Sequence, residues 1–219
     1  MQRLLFGVVA LVLFSTSARA QWNEGGRSSA PITIYTEFEH ENSPRSLKSL
    51  KSELVAIMGP FGLQFEWRDL KRVRRNEVSV ELVVVSFKGR CDMEGLALPI
   101  HPPTGALGWT HMSDGDVLPF SDVDCDRVRA LIAPVTLGTS RDERERLFGR
   151  ALGRVLAHEL YHIFANTTRH GHMGVAKPFY TATELVSETF QFQKREGKTL
   201  RQGKLRNLFV SQAVSSAGQ

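Results

Sequence analysis

A histidine, a glutamate and a second histidine stand close together at His158, Glu159 and His162, within a long stretch whose apolar spacing predicts a helix. Residues four apart share one helix face, so both imidazoles can point at a single metal ion held about 2 Å from each nitrogen. Glu159 flanks that face, where its carboxylate can accept a proton from a metal-activated water without being a ligand. The spacing therefore predicts a catalytic metal centre with Glu159 as general base, rather than two surface histidines beside an acid.

Residues 158–177, HELYHIFANTTRHGHMGVAK, resemble the zinc-dependent metallopeptidases of the zincin group. The resemblance implies one Zn²⁺ per chain, a peptide or protein substrate, and a sheet whose edge strand aligns an extended substrate above the active-site helix. By that resemblance, residues 106–110 are the candidate edge strand. The metzincin pattern continues with a glycine three residues and a histidine six residues after the motif, where this chain has Ala165 and Thr168. The resemblance is therefore metzincin-like with a different spacing to the third ligand.

A catalytic zinc site needs a third protein ligand, and the chain offers two kinds. His170 and His172 follow the motif at once, and a slightly longer turn could return either imidazole to the metal. We expect His170, because it directly precedes a glycine that could form the turn, with His172 as the second choice. The gluzincin branch of the group instead takes a glutamate from the next helix, which Glu188 or Glu184 could supply.

The first twenty residues have the pattern of a secretory signal. Arg3 precedes an apolar run over residues 4–14, and Ala18-Arg19-Ala20 matches the small-x-small pattern before a cleavage site. An apolar run of this length is too short to cross a bilayer. We therefore expect cleavage after Ala20, a secreted or periplasmic protein, and no stable membrane anchor in the mature chain.

The composition fits one globular domain. Of 219 residues, 42% are hydrophobic and 23% charged, which is too apolar for a disordered chain. The net charge of +5 falls to +3 when Arg3 and Arg19 leave with the signal, since 26 basic residues then face 23 acidic ones. That is an ordinary surface balance, so we expect no nucleic-acid partner.

The chain has two cysteines, Cys91 and Cys125. In an oxidising compartment an isolated pair most simply forms one disulfide. The competing interpretation, two zinc-binding thiolates, is disfavoured by the long spacing and the absence of a C-x-x-C pair.

The order of predicted elements indicates an α+β domain. Ser43-Pro44, Ser140 with Glu143, and Thr181 with Glu184 have helix-start patterns. The three predicted helices run up to the Gly-Pro at 59–60, through residue 163, and through about residue 196. The predicted strands are 32–38, 63–67, 78–87, 106–110 and 128–133. We expect a zincin-like, mixed but mostly antiparallel sheet in a single domain over residues 21–219, with a flexible lead over 21–30 and a tail from about 200.

These features favour a secreted zinc metallopeptidase. Tyr180 is a candidate for oxyanion stabilisation, whereas we expect Tyr161 to serve packing. Two alternatives stay open: a secreted binding protein that zinc merely stabilises, and a hydrolase of a non-peptide amide such as a cell-wall link.

Overall fold

The computed structural model describes residues 31–74, 79 and 81–202. The predicted signal segment 1–20 and the predicted lead 21–30 lie outside the described residues, as do residues 203–219 of the tail predicted from about residue 200. Within the described ranges, no helix is both long enough and apolar enough to cross a membrane.

The described chain is an α+β fold built on one five-stranded sheet. The strands are β1 (Ile32–Phe38), β2 (Phe65–Asp69), β3 (Leu82–Lys88), β4 (Gly108–Ser113) and β5 (Asp116–Asp124). The helices are α1 (Pro44–Met58), α2 (Cys125–Thr136), α3 (Arg141–Ala165), α4 (Ala182–Val186) and α5 (Lys194–Gln202).

The sheet is mixed, as expected, but the prediction that it is mostly antiparallel is wrong. Its strand order is β2-β1-β3-β5-β4, and three of the four neighbouring pairs are parallel. Only β4 and β5 run antiparallel. The reason is visible in the connection from β1 to β2, because a crossover through helix α1 returns the chain in the same direction.

The predicted starts of α1 and α3 are confirmed. Ser43 caps α1 through its side chain, with Pro44 in the first turn. Ser140 caps α3 by accepting a hydrogen bond from the backbone N–H of Glu143. α3 ends where Asn166 adopts a left-handed conformation with φ of 47°. The helix is therefore long enough to carry the whole His-Glu-x-x-His motif.

The structure differs from the predicted strands in two places. Residues 128–133, predicted as a strand, lie inside α2, whose start is capped by the Asp124 carboxylate accepting from the Arg127 backbone N–H at 2.9 Å. β5 has no counterpart among the predicted strands, and it contains Pro119. This proline falls where the pairing of β4 with β5 shifts register, so its missing N–H interrupts no regular ladder.

The third predicted helix begins as expected and then stops early. Thr181 and Glu184 form the predicted capping box, but α4 ends at Val186. Arg154, whose side chain is completely buried, donates to the carbonyl oxygens of Glu184 at 2.5 Å and Ser187 at 2.6 Å. These carbonyls bind the guanidinium in place of the backbone N–H groups of a longer helix.

One hydrophobic core joins the sheet to α1 and α3. Alternate residues of β1 and β3 are buried in it, including Ile34, Val85 and Phe87. α1 and α3 approach closely at two glycines, since a methyl group on Gly149 would lie 2.1 Å from the Ser46 carbonyl oxygen and one on Gly153 would lie 2.8 Å from that of Leu50. This close packing fixes α3 against the rest of the domain.

The predicted disulfide between Cys91 and Cys125 is present, with Cα atoms 5.1 Å apart. It fastens the segment after β3 to the first turn of α2. The disulfide indicates an oxidising compartment. Glu145 of α3 holds the same segment by accepting from the Met93 backbone N–H at 2.9 Å.

Replacing both cysteines by alanine should lower the free energy of unfolding by about 4 kcal/mol, because the bond closes a loop with a sequence separation of 34. Urea denaturation followed by circular dichroism measures this difference. A reductant should destabilise the natural protein to the level of the variant and leave the variant unchanged. Equal midpoints for the oxidised protein and the variant would contradict the prediction.

Candidate metal centre

The last turns of α3 bury three ionisable side chains next to one another. His158 and His162 are each 7% exposed and Glu159 is 4% exposed. The Nε2 atoms of the two histidines are 3.0 Å apart. The helical spacing has therefore brought both imidazoles to one point, as the sequence predicted.

Backbone carbonyls from the chain beyond α3 hold the other edge of each ring. His158 donates from Nδ1 to the Val175 oxygen at 2.8 Å, and His162 donates from Nδ1 to the Thr167 oxygen at 2.7 Å. A proton on Nδ1 leaves the Nε2 lone pair available to a metal. Burial lowers the pKa of His158 to about 3, with a further contribution from His162, and burial also lowers the pKa of His162. Both rings are thus kept neutral, as metal binding requires.

His170 completes the cluster from the loop after α3. One ligand atom each of His158, His162 and His170 lie within 4.8 Å of one another, so the three side chains could hold a metal ion. The His170 ring centroid is 5.1 Å from that of His158 and 4.9 Å from that of His162. His170 is exposed, in contrast to the two helical histidines. The preferred third ligand therefore lies where the sequence analysis expected it.

The alternative third ligands lie outside this cluster. His172 and Glu188 are exposed. Glu184 is engaged elsewhere, since its carboxylate accepts from the Thr181 backbone N–H at 2.8 Å and pairs with Lys177.

The Glu159 carboxylate points toward β4 rather than joining the three imidazoles. Thr110 donates from Oγ1 to Glu159 Oε2 at 2.8 Å. On the other side, a methyl group added to Gly108 would lie 3.0 Å from Glu159 Oε1. Burial raises the pKa of Glu159 to about 7, while the hydrogen bond from Thr110 acts in the opposite direction. The Glu159 carboxylate is therefore buried beside the three histidines and oriented by the hydrogen bond from Thr110.

Thr110 is a functional candidate that the sequence analysis missed. The predicted strand at 106–110 included it, and β4 does lie at the sheet edge beside α3. Threonine is common in strands for packing reasons, so its type gave no signal. Only the position of β4 over Glu159 reveals the hydrogen bond.

Tyr180 lines the cleft and is hydrogen-bonded beside His158. Its hydroxyl donates to the Val175 carbonyl oxygen and lies 2.7 Å from Nδ1 of His158. The prediction of oxyanion stabilisation therefore has no support from this arrangement. Tyr161 is buried against Phe192, with ring centroids 5.4 Å apart, which confirms the expected packing role.

The cluster opens into a cleft of about 680 Å³. Its walls come from the segment before β4, from β4 itself, from α3 and from residues 178–180. His158, Glu159, His162 and His170 all line it. A molecule bound in this cleft would contact the three histidines and the Glu159 carboxylate together.

The sequence matches no protein-family model and no curated protein sequence. The chemistry of the cleft must therefore be derived from its own side chains. Three imidazoles form a donor set that suits zinc, copper, iron or nickel, whereas magnesium and calcium prefer oxygen ligands.

Replacing His170 by alanine should weaken metal binding at least about a hundredfold, because loss of an outer partner alone costs about 10- to 100-fold. His172→Ala is the matched control, since both histidines are exposed and only His170 belongs to the cluster. Competition of Zn²⁺ or Co²⁺ against a chromophoric chelator measures the affinities. If His172→Ala weakened metal binding and His170→Ala did not, the third ligand would be His172 rather than His170.

Proposed function

We propose that this protein is a secreted zinc-dependent peptidase in which His158, His162 and His170 hold the metal. The observation that carries the proposal is the buried Glu159 carboxylate, which lies beside three convergent imidazoles without being one of the cluster. Three protein ligands are typical of catalytic zinc, which keeps a further position for water or substrate, whereas structural zinc has four.

The roles of the residues follow from this arrangement. Bound zinc would polarise the scissile carbonyl and lower the pKa of a water molecule. Glu159 accepts the proton of the attacking water and then delivers it to the leaving amine, so that one amide bond is broken and one water is consumed. The Thr110 hydrogen bond keeps the carboxylate in one orientation while the proton moves.

The edge strand favours a peptide over other amides. β4 is the last strand of the sheet, and its residues Gly108 to Thr110 line the cleft. The unpaired backbone groups of an edge strand can bind an extended peptide by adding it to the sheet. A cell-wall amide or another small amide would make no use of this edge.

The proposed location outside the cytoplasm is supported by two features. The first twenty residues have the pattern of a secretory signal. The buried disulfide between Cys91 and Cys125 is the kind of bond that persists in oxidising compartments.

Glu159→Gln tests the mechanism, because glutamine keeps the size of the side chain but cannot accept the proton. We expect a loss of about 10²- to 10⁴-fold in kcat with an unchanged zinc content. Cleavage of casein and of quenched fluorescent peptides, together with elemental analysis for zinc, measures both quantities. Glu188→Gln, an exposed glutamate outside the cluster, is the control.

The alternative is a binding protein in which zinc only stabilises the junction of α3 with the following loop. It predicts that a chelator lowers the melting temperature while neither the natural protein nor Glu159→Gln cleaves any peptide. Full activity in a zinc-loaded Glu159→Gln variant would contradict the proposed mechanism itself.

Thr110→Val should lower kcat about tenfold or more, because a hydrogen bond to a charged group is worth about 1.5–3 kcal/mol. Thr110→Ser keeps the hydroxyl and should retain most of the activity. KM and zinc affinity should change little in either variant, since the Thr110 hydroxyl donates to Glu159 rather than to a histidine. Equal losses in the serine and valine variants would indicate a packing role for Thr110.

A further inference from the structure

β4 runs along the cleft, and its central residue Thr110 lies next to the proposed general base, Glu159. Thr110 binds the Glu159 carboxylate directly. Two residues earlier lies Gly108 and two residues later lies Met112, and both line the cleft. At about 3.4 Å per residue, each of them is about 7 Å from Thr110 along the strand. The cleft therefore has two regions, one on each side of Thr110 along β4.

The region at the start of β4 is apolar. Gly108 pairs with Val123, and α2 begins two residues after Val123 at Cys125, so α2 lies near this end of β4. A methyl group on Gly108 would lie 3.0 Å from Cγ1 of Val155, which precedes Glu159 by one turn of α3. The apolar side chains that line the cleft from this end are Leu107, Leu131 and Val155.

The region at the far end of β4 is apolar as well. Met112 pairs with Val117 across the hairpin, and both line the cleft. Met112 is 48% exposed, so it is available to a ligand. Phe179 adds a second exposed apolar side chain to the cleft lining, at 83% exposure.

Charged partners for a substrate are missing from the described lining. Apart from Glu159, the three histidines and Tyr180, no described residue that lines the cleft has an ionisable side chain. A charged substrate side chain would have to leave water there without a partner of opposite charge, which is costly. An apolar side chain would instead gain about 25 cal/mol for each Å² that it buries.

We propose that the substrate is a peptide with bulky apolar side chains on both sides of the scissile bond. This inference rests on the proposed function and adds the substrate class to it. One apolar side chain lies against Leu107, Leu131 and Val155, and the other lies against Met112 and Val117. The two regions are separate, so each selects one side of the bond.

A matched set of quenched peptides tests this substrate class with the natural, zinc-loaded protein. The residue on each side of one cleavable bond is varied in turn among leucine, alanine, aspartate and lysine. We expect kcat/KM to fall at least tenfold when either leucine becomes aspartate or lysine. Equal rates for leucine, aspartate and lysine at either position would overturn the proposal.

Changing the size of Leu131 tests which residues form the first region. Leu131→Ala should favour larger side chains and Leu131→Phe smaller ones, on one side of the scissile bond only. Each change should be about tenfold or more, because a methylene group in an apolar pocket is worth roughly 10- to 200-fold in discrimination. Met112→Ala should change the preference on the other side.

Leu137→Ala is the control, because Leu137 lies at the end of α2 and does not line the cleft. Circular dichroism and zinc content show that each variant is folded and loaded. A change on both sides of the bond, or the same change in the control, would contradict the separation into two regions.

Binding to zinc-loaded Glu159→Gln separates this inference from the proposed function. Fluorescence anisotropy with labelled peptides measures binding without cleavage. Tighter binding of leucine peptides than of aspartate or lysine peptides, with no cleavage by the natural protein, would support the apolar recognition and overturn the peptidase. Cleavage with no apolar preference in rate or binding would overturn the inference alone.

Discussion

Burial of three ionisable side chains on one turn of α3 is the constraint on which the site depends. His158, Glu159 and His162 are each less than a tenth exposed, and each would be strongly destabilising without a polar partner. Polar partners reach them from outside the helix: the carbonyl oxygens of Thr167 and Val175 and the hydroxyls of Thr110 and Tyr180. The loop after α3 and the edge strand β4 must therefore hold their positions whenever the helix is packed.

The first half of α3 supplies the rigidity that this arrangement needs. Arg154 is fully buried and forms an ion pair with Glu53 at 2.7 Å. Its other two nitrogens donate to the carbonyl oxygens of Glu184 and Ser187 at the end of α4. On the same helix, Gly149 and Gly153 permit the close approach of α1. Removing one member of a buried ion pair costs about 3–5 kcal/mol, so Arg154 fastens α1 and α4 to α3. Packing around the middle of α3 thereby opposes small displacements of the turn that carries His158, Glu159 and His162.

Local features of this structure could be predicted from the sequence more reliably than long-range contacts. The motif, the caps at Ser43 and Ser140 and the disulfide are each determined by a few residues, so they could be predicted. Residues 128–133, VRALIA, are a short apolar run that suits a buried strand or a helix equally, and the cap at Asp124 decides between them. The early end of α4 depends on Arg154, 30 residues from Glu184, and the Thr110 hydrogen bond spans 49 residues. Contacts of that range have no local pattern from which they could be read.

The spacing from His162 to His170 departs from the metzincin pattern, although three imidazoles still converge on one point. The metzincin pattern would place a histidine six residues after His162, whereas the histidine that joins the cluster here is His170, eight residues after it. α3 ends at Ala165 and is capped by Asn166, and the next residue, Thr167, accepts a hydrogen bond on its carbonyl oxygen from Nδ1 of His162. The longer turn therefore orients His162 before it brings His170 into the cluster. Gly171 lets the chain leave the cluster, because a methyl group there would lie 2.6 Å from the buried carboxylate of Glu196. A motif search that fixes the distance to the third histidine at six residues would miss this cluster, although ligand atoms of His158, His162 and His170 lie within 4.8 Å of one another.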